Sequence, residues 1–293
     1  MGKFSDLIGE DTLLYENISL EKYTTIKLIA SGNVLIVQSE KALEKSLKVI
    51  IKNQFTYQMI GWGSNQVLTG NKDLYIKLDF PRTKELSEYR EKYNLSATTS
   101  LISMTTAAKK FGLKGWDVFT GIPASLGGAI FMNAGTSLGE IAPLVESVKI
   151  ITKEGKVQTR ELSITDFEYR KNKFLENGEI ILSASIRHFG RDMSLAKKIQ
   201  DYLSYREKTQ PLKTKNCGSV FKNNGSFRAG ITIDRCGMKG YGQENLCISF
   251  QHGNFIEHKG LATSEDFEAL TDNIIEELER YSGQKFVLEV KIV

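Results

Sequence analysis

Residues 115–139 carry one charged side chain, Asp117, and the inner stretch Gly121-Ile-Pro-Ala-Ser-Leu-Gly-Gly-Ala-Ile-Phe-Met-Asn-Ala-Gly135 carries none. Fifteen uncharged residues make a poor solvent-facing loop, because exposed connections are normally polar. Glycine lets backbone come close to whatever it faces. The stretch therefore reads either as a buried turn between core strands or as the lining of a large ligand with flat apolar and phosphate-bearing parts. A second loop, Gly61-Trp62-Gly63-Ser64-Asn65, follows the strand-like run at 55–60. Its glycines can aim backbone N–H groups at one anion, with Ser64 and Asn65 as further donors. A plain hairpin turn is the alternative. The loop is neither a GxxxxGK[ST] phosphate loop nor a GxGxxG dinucleotide fingerprint, so both common nucleotide folds lose support.

Composition narrows the class. With 293 residues, 41% apolar and 25% charged, the chain can bury a sizeable core and is not a disordered one. A net charge of +4, from 39 basic and 35 acidic side chains interspersed along the chain, argues against nucleic acid and suits a small anionic substrate. Apolar runs are strand-sized, too short to span a membrane, and the first residues lack a signal-peptide apolar region. Cys217, Cys236 and Cys247 cannot all pair and none has CxxC spacing, so free thiols in a cytoplasmic setting are expected. The three histidines, His188, His252 and His258, lie far apart with no acidic or cysteine cluster, and no metal site is expected.

The periodicities predict strands over 24–38, a helix capped by Ser39 and running to about Asn53, and strands and turns over 73–100. A short helix is expected over 104–111, ended by Gly112. Strands at 145–151 and 156–161 flank Glu154-Gly155 as a hairpin, with another strand at 179–187. A helix over 195–208, a loop-rich region at 211–245 and a strand near 246–250 follow. A helix over 264–281 has Thr263 and Asp266 as capping pair, a stripe of Phe267, Leu270, Ile274, Leu278 and Tyr281, and Gly283 as its stop. An alternating strand closes the chain at 285–293. Strands with scattered helices mean α+β rather than regular βαβ alternation. The expected boundary separates residues 1–190 from a smaller α+β domain at 191–293.

Later motifs add specificity: Tyr169-Arg170; Tyr205-Arg-Glu-Lys-Thr-Gln-Pro211; Cys217-Gly-Ser-Val-Phe-Lys-Asn223; residues 229–241; His252-Gly-Asn-Phe-Ile256; and Leu288-Glu-Val290. With the two glycine loops, the chain resembles flavin-binding proteins of the vanillyl-alcohol-oxidase type. More closely, from about Tyr23 onward, it is similar to the UDP-N-acetylenolpyruvoylglucosamine reductase family. Some positions depart from the family pattern: Ile26-Lys-Leu-Ile-Ala-Ser-Gly32, Trp62, Ala97-Thr-Thr99 in place of Gly-Ala-Gly, and Gly242-Gln-Glu-Asn245.

The resemblance implies an α+β fold: an FAD-binding domain of vanillyl-alcohol-oxidase type, then a substrate-binding domain whose terminal strand serves the active site. It implies a cytoplasmic, monomeric enzyme of peptidoglycan precursor synthesis with non-covalent FAD and NADPH as co-substrate. NADPH would reduce the flavin, and the UDP-sugar enolpyruvate would then be reduced to UDP-N-acetylmuramate. Arg170 matches the cation for the substrate carboxylate, Ser219 the proton donor at carbon, and Glu289 the glutamate beside that carboxylate. Expected flavin contacts are Gly61, Trp62, Gly63, Ser64, Asn65, Gly121, Ser125, Gly127, Gly128, Asn133, Gly135 and Gly139. Expected substrate contacts are Arg206, Lys222, Asn223 and His252. Only 48 residues separate Arg170 from Ser219, which resembles the family's shorter branch without an extra tyrosine loop. Two other readings stay open: another flavin oxidase of the superfamily, and a non-catalytic binding protein on the same fold. The first is disfavoured because loop 61–65 has no His or Cys to tether a flavin.

Overall fold

The structure is a computed structural model and describes residues 2–81 and 84–293, so two positions of the 73–100 expectation, Arg82 and Thr83, lie outside the described residues. The helices start and stop where local chemistry directs. Ser39 caps Glu40–Lys52 by accepting from Ala42 N–H, and Ser100 caps Leu101–Phe111. Gly112, at φ +67°, ends that second helix in the left-handed conformation that glycine adopts without penalty. The longest helix, Ser264–Ser282, opens on a reciprocal Thr263–Asp266 capping box and stops at Gly283.

The chain divides into two compact units. The first comprises Met1–Tyr15, Val34–Gly61 and Ile76–Ser204, and the second Glu16–Asn33, Trp62–Tyr75 and Tyr205–Val293. This differs from a single cut near residue 190. The first half of helix Leu195–Thr209 belongs with the first unit because Leu195 and Ile199 are buried in its core. The polar stretch before it is tied there as well: Asp192 N–H donates to Gly112 O and Lys114 N–H to Gly190 O.

In the first unit an antiparallel sheet runs in the order Val157–Glu161, Val145–Ile151, Ile180–Arg187, Lys92–Ser96. Val148, Ile150, Ala184, Ile186, Tyr93 and Leu95 bury one face against Leu101, Met104 and Ala108 of the neighbouring helix. Trp116 is fully buried there, and its indole N–H donates to Arg187 O at 2.8 Å, which settles the one polar atom it brings inside. Arg160 and Glu179 form a two-pronged ion pair at 2.6 and 2.7 Å, and Arg160 also donates to Phe174 O.

In the second unit the sheet Gly242–Gln243, Leu246–Ile248, Ile256–His258 packs with Phe267, Leu270, Ile274 and Leu278 of the long helix. Tyr281, expected on that stripe, is exposed, because the last turn runs past the core. Ile26, Leu28 and Val67 complete this core from far upstream. The expected run of strands over 24–38 narrows to Ser31–Val37, with an isolated bridge from Ile29 to Thr263. The terminal alternation pairs only at Lys291–Ile292, parallel to Gln66–Val67, plus a bridge from Phe221 to Leu288.

Candidate active site

The first unit carries the uncharged segment. Ser125 caps the short helix Leu126–Phe131, its hydroxyl accepting from Gly128 N–H at 3.4 Å. Leu126 N–H donates to Thr99 O and Gly127 N–H to Ala97 O, both at 2.8 Å. A β-carbon built on Gly127 would stand 2.9 Å from that of Ala97, so this glycine serves close packing of helix on chain. Gly61 and Gly128 instead face the Ser125 hydroxyl, where their β-carbons would lie 3.4 and 3.3 Å from Oγ. The hydroxyl is thus buried between two glycines. Gly121 and Gly139, at φ +73° and +126°, bracket the segment. Lys77, on strand Leu74–Leu78, donates from its ammonium to Gly61 O at 3.0 Å, and burial lowers its pKa.

Asn133, expected at the flavin, commits its side-chain hydrogen bonds to the protein. It is buried, with Nδ2 donating to Glu140 Oε2 at 2.8 Å and to Glu168 O at 2.9 Å, and Oδ1 accepting from Ala142 N–H. Both of its donors are therefore used inside the protein.

Arg170 sits in the two-residue turn between Phe167–Glu168 and Lys171–Asn172, at φ +56°. Its Nη2 donates to Gly135 O at 2.8 Å, and its Nη1 to Asn133 O at 3.4 Å and Glu140 Oε1 at 3.3 Å. The Tyr169 ring lies 4.8 Å from the guanidinium carbon. The arginine expected to meet a substrate carboxylate is thus already held by two carbonyls and one carboxylate. Glu140, the first charge after the uncharged segment, was not singled out by sequence reasoning. Its place at the end of the charge gap is the one signal that could have found it. Lys77 was missed too; a lysine inside an otherwise buried strand was its signal.

The second unit carries Trp62–Asn65 together with the other two expected catalytic residues. Gly63 is at φ +66°, and any β-carbon there would overlap the Tyr23 carbonyl oxygen. Asn65 Nδ2 donates to Glu289 O at 3.1 Å, and Lys291 N–H to Asn65 O at 3.0 Å. Residues of loop 61–65 thus hold the terminal segment. Ser64 O is 3.6 Å from where a Gly218 β-carbon would lie, and Trp62 is exposed.

Ser219 is on a tightly held stretch. Val220 N–H donates to Asn254 O, while the Asn254 side chain both accepts from Phe221 N–H and donates to Phe221 O, each at 2.9 Å. Glu289 N–H donates to Val220 O at 2.8 Å and Lys222 N–H to Val287 O at 2.9 Å. The structure thereby runs the segment bearing Glu289 alongside the one bearing Ser219. No hydrogen bond of the Ser219 hydroxyl occurs among the described residues, and the residue is half-buried.

Of the expected substrate contacts, Arg206 Nε donates to Gln210 Oε1 at 2.8 Å, and Asn223 Oδ1 accepts from Ala229 N–H at 3.0 Å, securing the start of helix Ala229–Arg235. Lys222 is half-buried beside Asn223 in the chain. His252 Nδ1 accepts from Asn254 N–H, which puts the neutral ring's proton on Nε2. Burial, then Lys239, lowers the His252 pKa. His258 donates from Nδ1 to Ile26 O and accepts at Nε2 from Ala262 N–H, and His188 reaches the carbonyls of Gly190 and Arg90, so both have structural partners.

Residues 210–293 match the family of UDP-N-acetylenolpyruvoylglucosamine reductase C-terminal domains, and residues 32–160 match the FAD binding domain family. A UDP-N-acetylenolpyruvoylglucosamine reductase of Streptococcus pneumoniae (strain Hungary19A-6) is 30% identical over 278 residues, covering 94% of this chain and 92% of the relative. The chain belongs to the UDP-N-acetylenolpyruvoylglucosamine reductase family. One from the CGSP14 strain is 36% identical over 198 residues, 67% of this chain and 66% of that one. The crystal structure of the Thermus caldophilus reductase superposes with a TM-score of 0.80 at 29% identity, over 96% of this chain and 99% of that one. The α+β architecture of a flavin-binding domain followed by a reductase C-terminal domain is thereby established, and the chain is an FAD-dependent oxidoreductase.

The residues present fit FAD. Ser125 Oγ lies between Gly61 and Gly128, and it accepts one hydrogen bond while its own proton meets no acceptor among the described residues. A hydroxyl so placed suits a phosphate oxygen.

Proposed function

We propose that the chain reduces the enolpyruvyl group of UDP-N-acetylenolpyruvoylglucosamine to the lactyl group of UDP-N-acetylmuramate with NADPH, in peptidoglycan precursor synthesis. The observation that carries this is the family match over nearly the whole chain, with Arg170, Ser219 and Glu289 all present at motif positions. FAD, when bound, would supply the redox chemistry, the relay of hydride from NADPH to the substrate's methylene carbon. We assign its holding to Gly61, Ser125, Gly128 and the neighbouring glycine-loop backbone.

The rest of the chemistry falls to protein side chains. Hydride addition builds negative charge on the substrate carboxylate, and the Arg170 guanidinium stabilises it. Ser219 gives its hydroxyl proton to the adjacent carbon, so that one hydride and one proton add across the double bond. Ser219 is on a segment fixed by Asn254, which keeps the donor from wandering. Glu289 acts at the same carboxylate and exchanges the proton. Arg206, Lys222, Asn223 and His252 bind the sugar nucleotide. The enzyme works as a cytoplasmic monomer. Its three cysteines are all free, in keeping with a reducing compartment, and among the described residues no helix is long and apolar enough to cross a membrane.

The test is a visible spectrum followed by stepwise titration. Acid-releasable yellow flavin, bleached by NADPH and restored by the enolpyruvyl sugar nucleotide, is the expected result. Colour that stays with precipitated protein would indicate a tethered oxidase. A colourless protein that takes up no FAD would indicate a binding protein without catalysis.

A further inference from the structure

We propose that Glu140 is a positioning residue for Arg170, acting on the substrate half of the reaction through the guanidinium. The proposal rests on the reading that Arg170 meets the substrate carboxylate. The Glu140 carboxylate is divided between two donors: Oε1 accepts from Arg170 Nη1 at 3.3 Å and Oε2 from Asn133 Nδ2 at 2.8 Å. Asn133 is anchored in turn to Glu168 O and Ala142 N–H. An unbroken chain of hydrogen bonds therefore runs from buried backbone through Asn133 and Glu140 to the guanidinium.

Three features show that the fold is shaped around this contact. Asn133 and Arg170 are both in the left-handed region, at φ +43° and +56°; asparagine visits it readily, whereas arginine does so rarely and is held there by its surroundings. The short hairpin pairing Gly135–Thr136 with Gly139–Glu140 brings Glu140 back over Gly135. A β-carbon on Gly135 would lie 2.9 Å from both Cα and Cγ of Glu140, so only glycine admits the glutamate arm. The Gly135 carbonyl meanwhile takes the other guanidinium nitrogen at 2.8 Å.

The ion pair is one-pronged, not the two-pronged match that a guanidinium can make with a carboxylate. Glu140 thus bears on Arg170 through one oxygen while its other oxygen is anchored to Asn133. Glutamine cannot replace it. One carboxamide end is a donor, and it would face either Asn133 Nδ2 or Arg170 Nη1, donor against donor.

The experiment follows the two half-reactions of the flavin-loaded enzyme by stopped-flow absorbance. Glu140→Gln should slow recovery of flavin colour by substrate at least about tenfold, a loss of orientation of the kind that small misplacements cause. Bleaching by NADPH and bound flavin should stay within about twofold of wild type. Glu140→Asp keeps both acceptors on a shorter arm and should fall between the two; it also serves if the glutamine variant does not fold. In an Arg170→Ala background, Glu140→Gln should cost less than about twofold more, because its effect passes through the missing guanidinium. The proposal is overturned if Glu140→Gln recovers colour at the wild-type rate, slows both halves equally, or multiplies with Arg170→Ala. A wild-type rate in Arg170→Ala alone overturns the reading beneath it. A slow Arg170→Ala beside a fast Glu140→Gln overturns the Glu140 proposal by itself.

Discussion

Arg170 occupies a turn position that glycine would fill with less strain, and its side chain is what the turn presents. Arg170→Lys keeps the charge but loses the planar fork, and colour recovery by substrate should fall about 10–1000-fold while NADPH bleaching holds. Ser219→Ala should likewise spare bleaching and block recovery, since a carbon-bound proton is needed only in the second half; equal slowing of both would make Ser219 structural. His252 offers a pH readout. Burial lowers its folded pKa below the ordinary value of 6.5, so below that value the unfolded chain binds more protons than the folded one. The His252 contribution is constant above 6.5 and turns destabilising as pH falls from there toward the folded pKa. Urea midpoints should drop between pH 7 and pH 5.5, and His252→Gln should flatten part of that drop. Burial pushes the Cys217 thiol up to about 12, so in the native protein alkylating reagents should label the partly exposed Cys236 and leave Cys217 untouched, which peptide mapping would read.

At the scale of elements, short-range signals proved legible and long-range ones did not. Ser39, Gly112, Thr263 with Asp266, and Gly283 mark helix ends because a cap is satisfied within three or four residues of itself. The terminal strand misled because its partner is distant: Glu289 and Val290 N–H groups both turn to Val220 O, at 2.8 and 3.4 Å, and regular pairing breaks there. The family motifs located Arg170, Ser219 and Glu289 by resemblance. Glu140 and Lys77 left only faint local signals, the end of a charge gap and a lysine within an apolar strand, because their partners come from hairpin closure and strand pairing. The glycines of the uncharged segment also divide by role. Gly127→Ala should overpack against Ala97 and cost about 1–2 kcal/mol, and Ala97→Gly in the same chain should recover most of it, as thermal melts would show. Gly128→Asp instead puts bulk and charge beside Ser125 and should lower flavin content while the protein still folds.

At the scale of the molecule, two cores coexist on an interleaved chain. The second unit draws Ile26, Leu28 and Val67 into a core otherwise made from residues beyond 205. A fragment of residues 205–293 therefore lacks three fully or nearly buried side chains and the strand Gln66–Val67 that pairs with Lys291–Ile292. It should show helical far-ultraviolet dichroism with little near-ultraviolet signal, whereas a native-like amide spectrum would refute this view of the unit. The interleaving also sets an order of events during synthesis on the ribosome. Asn65 emerges early, yet the carbonyl its side chain grips, that of Glu289, is 224 residues downstream. At typical translation speeds of about 5–20 residues per second, the early segments of the second unit wait on the order of ten seconds or more for their partners. During that interval Ile26, Leu28 and Val67 are uncovered, and the nascent chain is most in need of a chaperone before its last strand arrives.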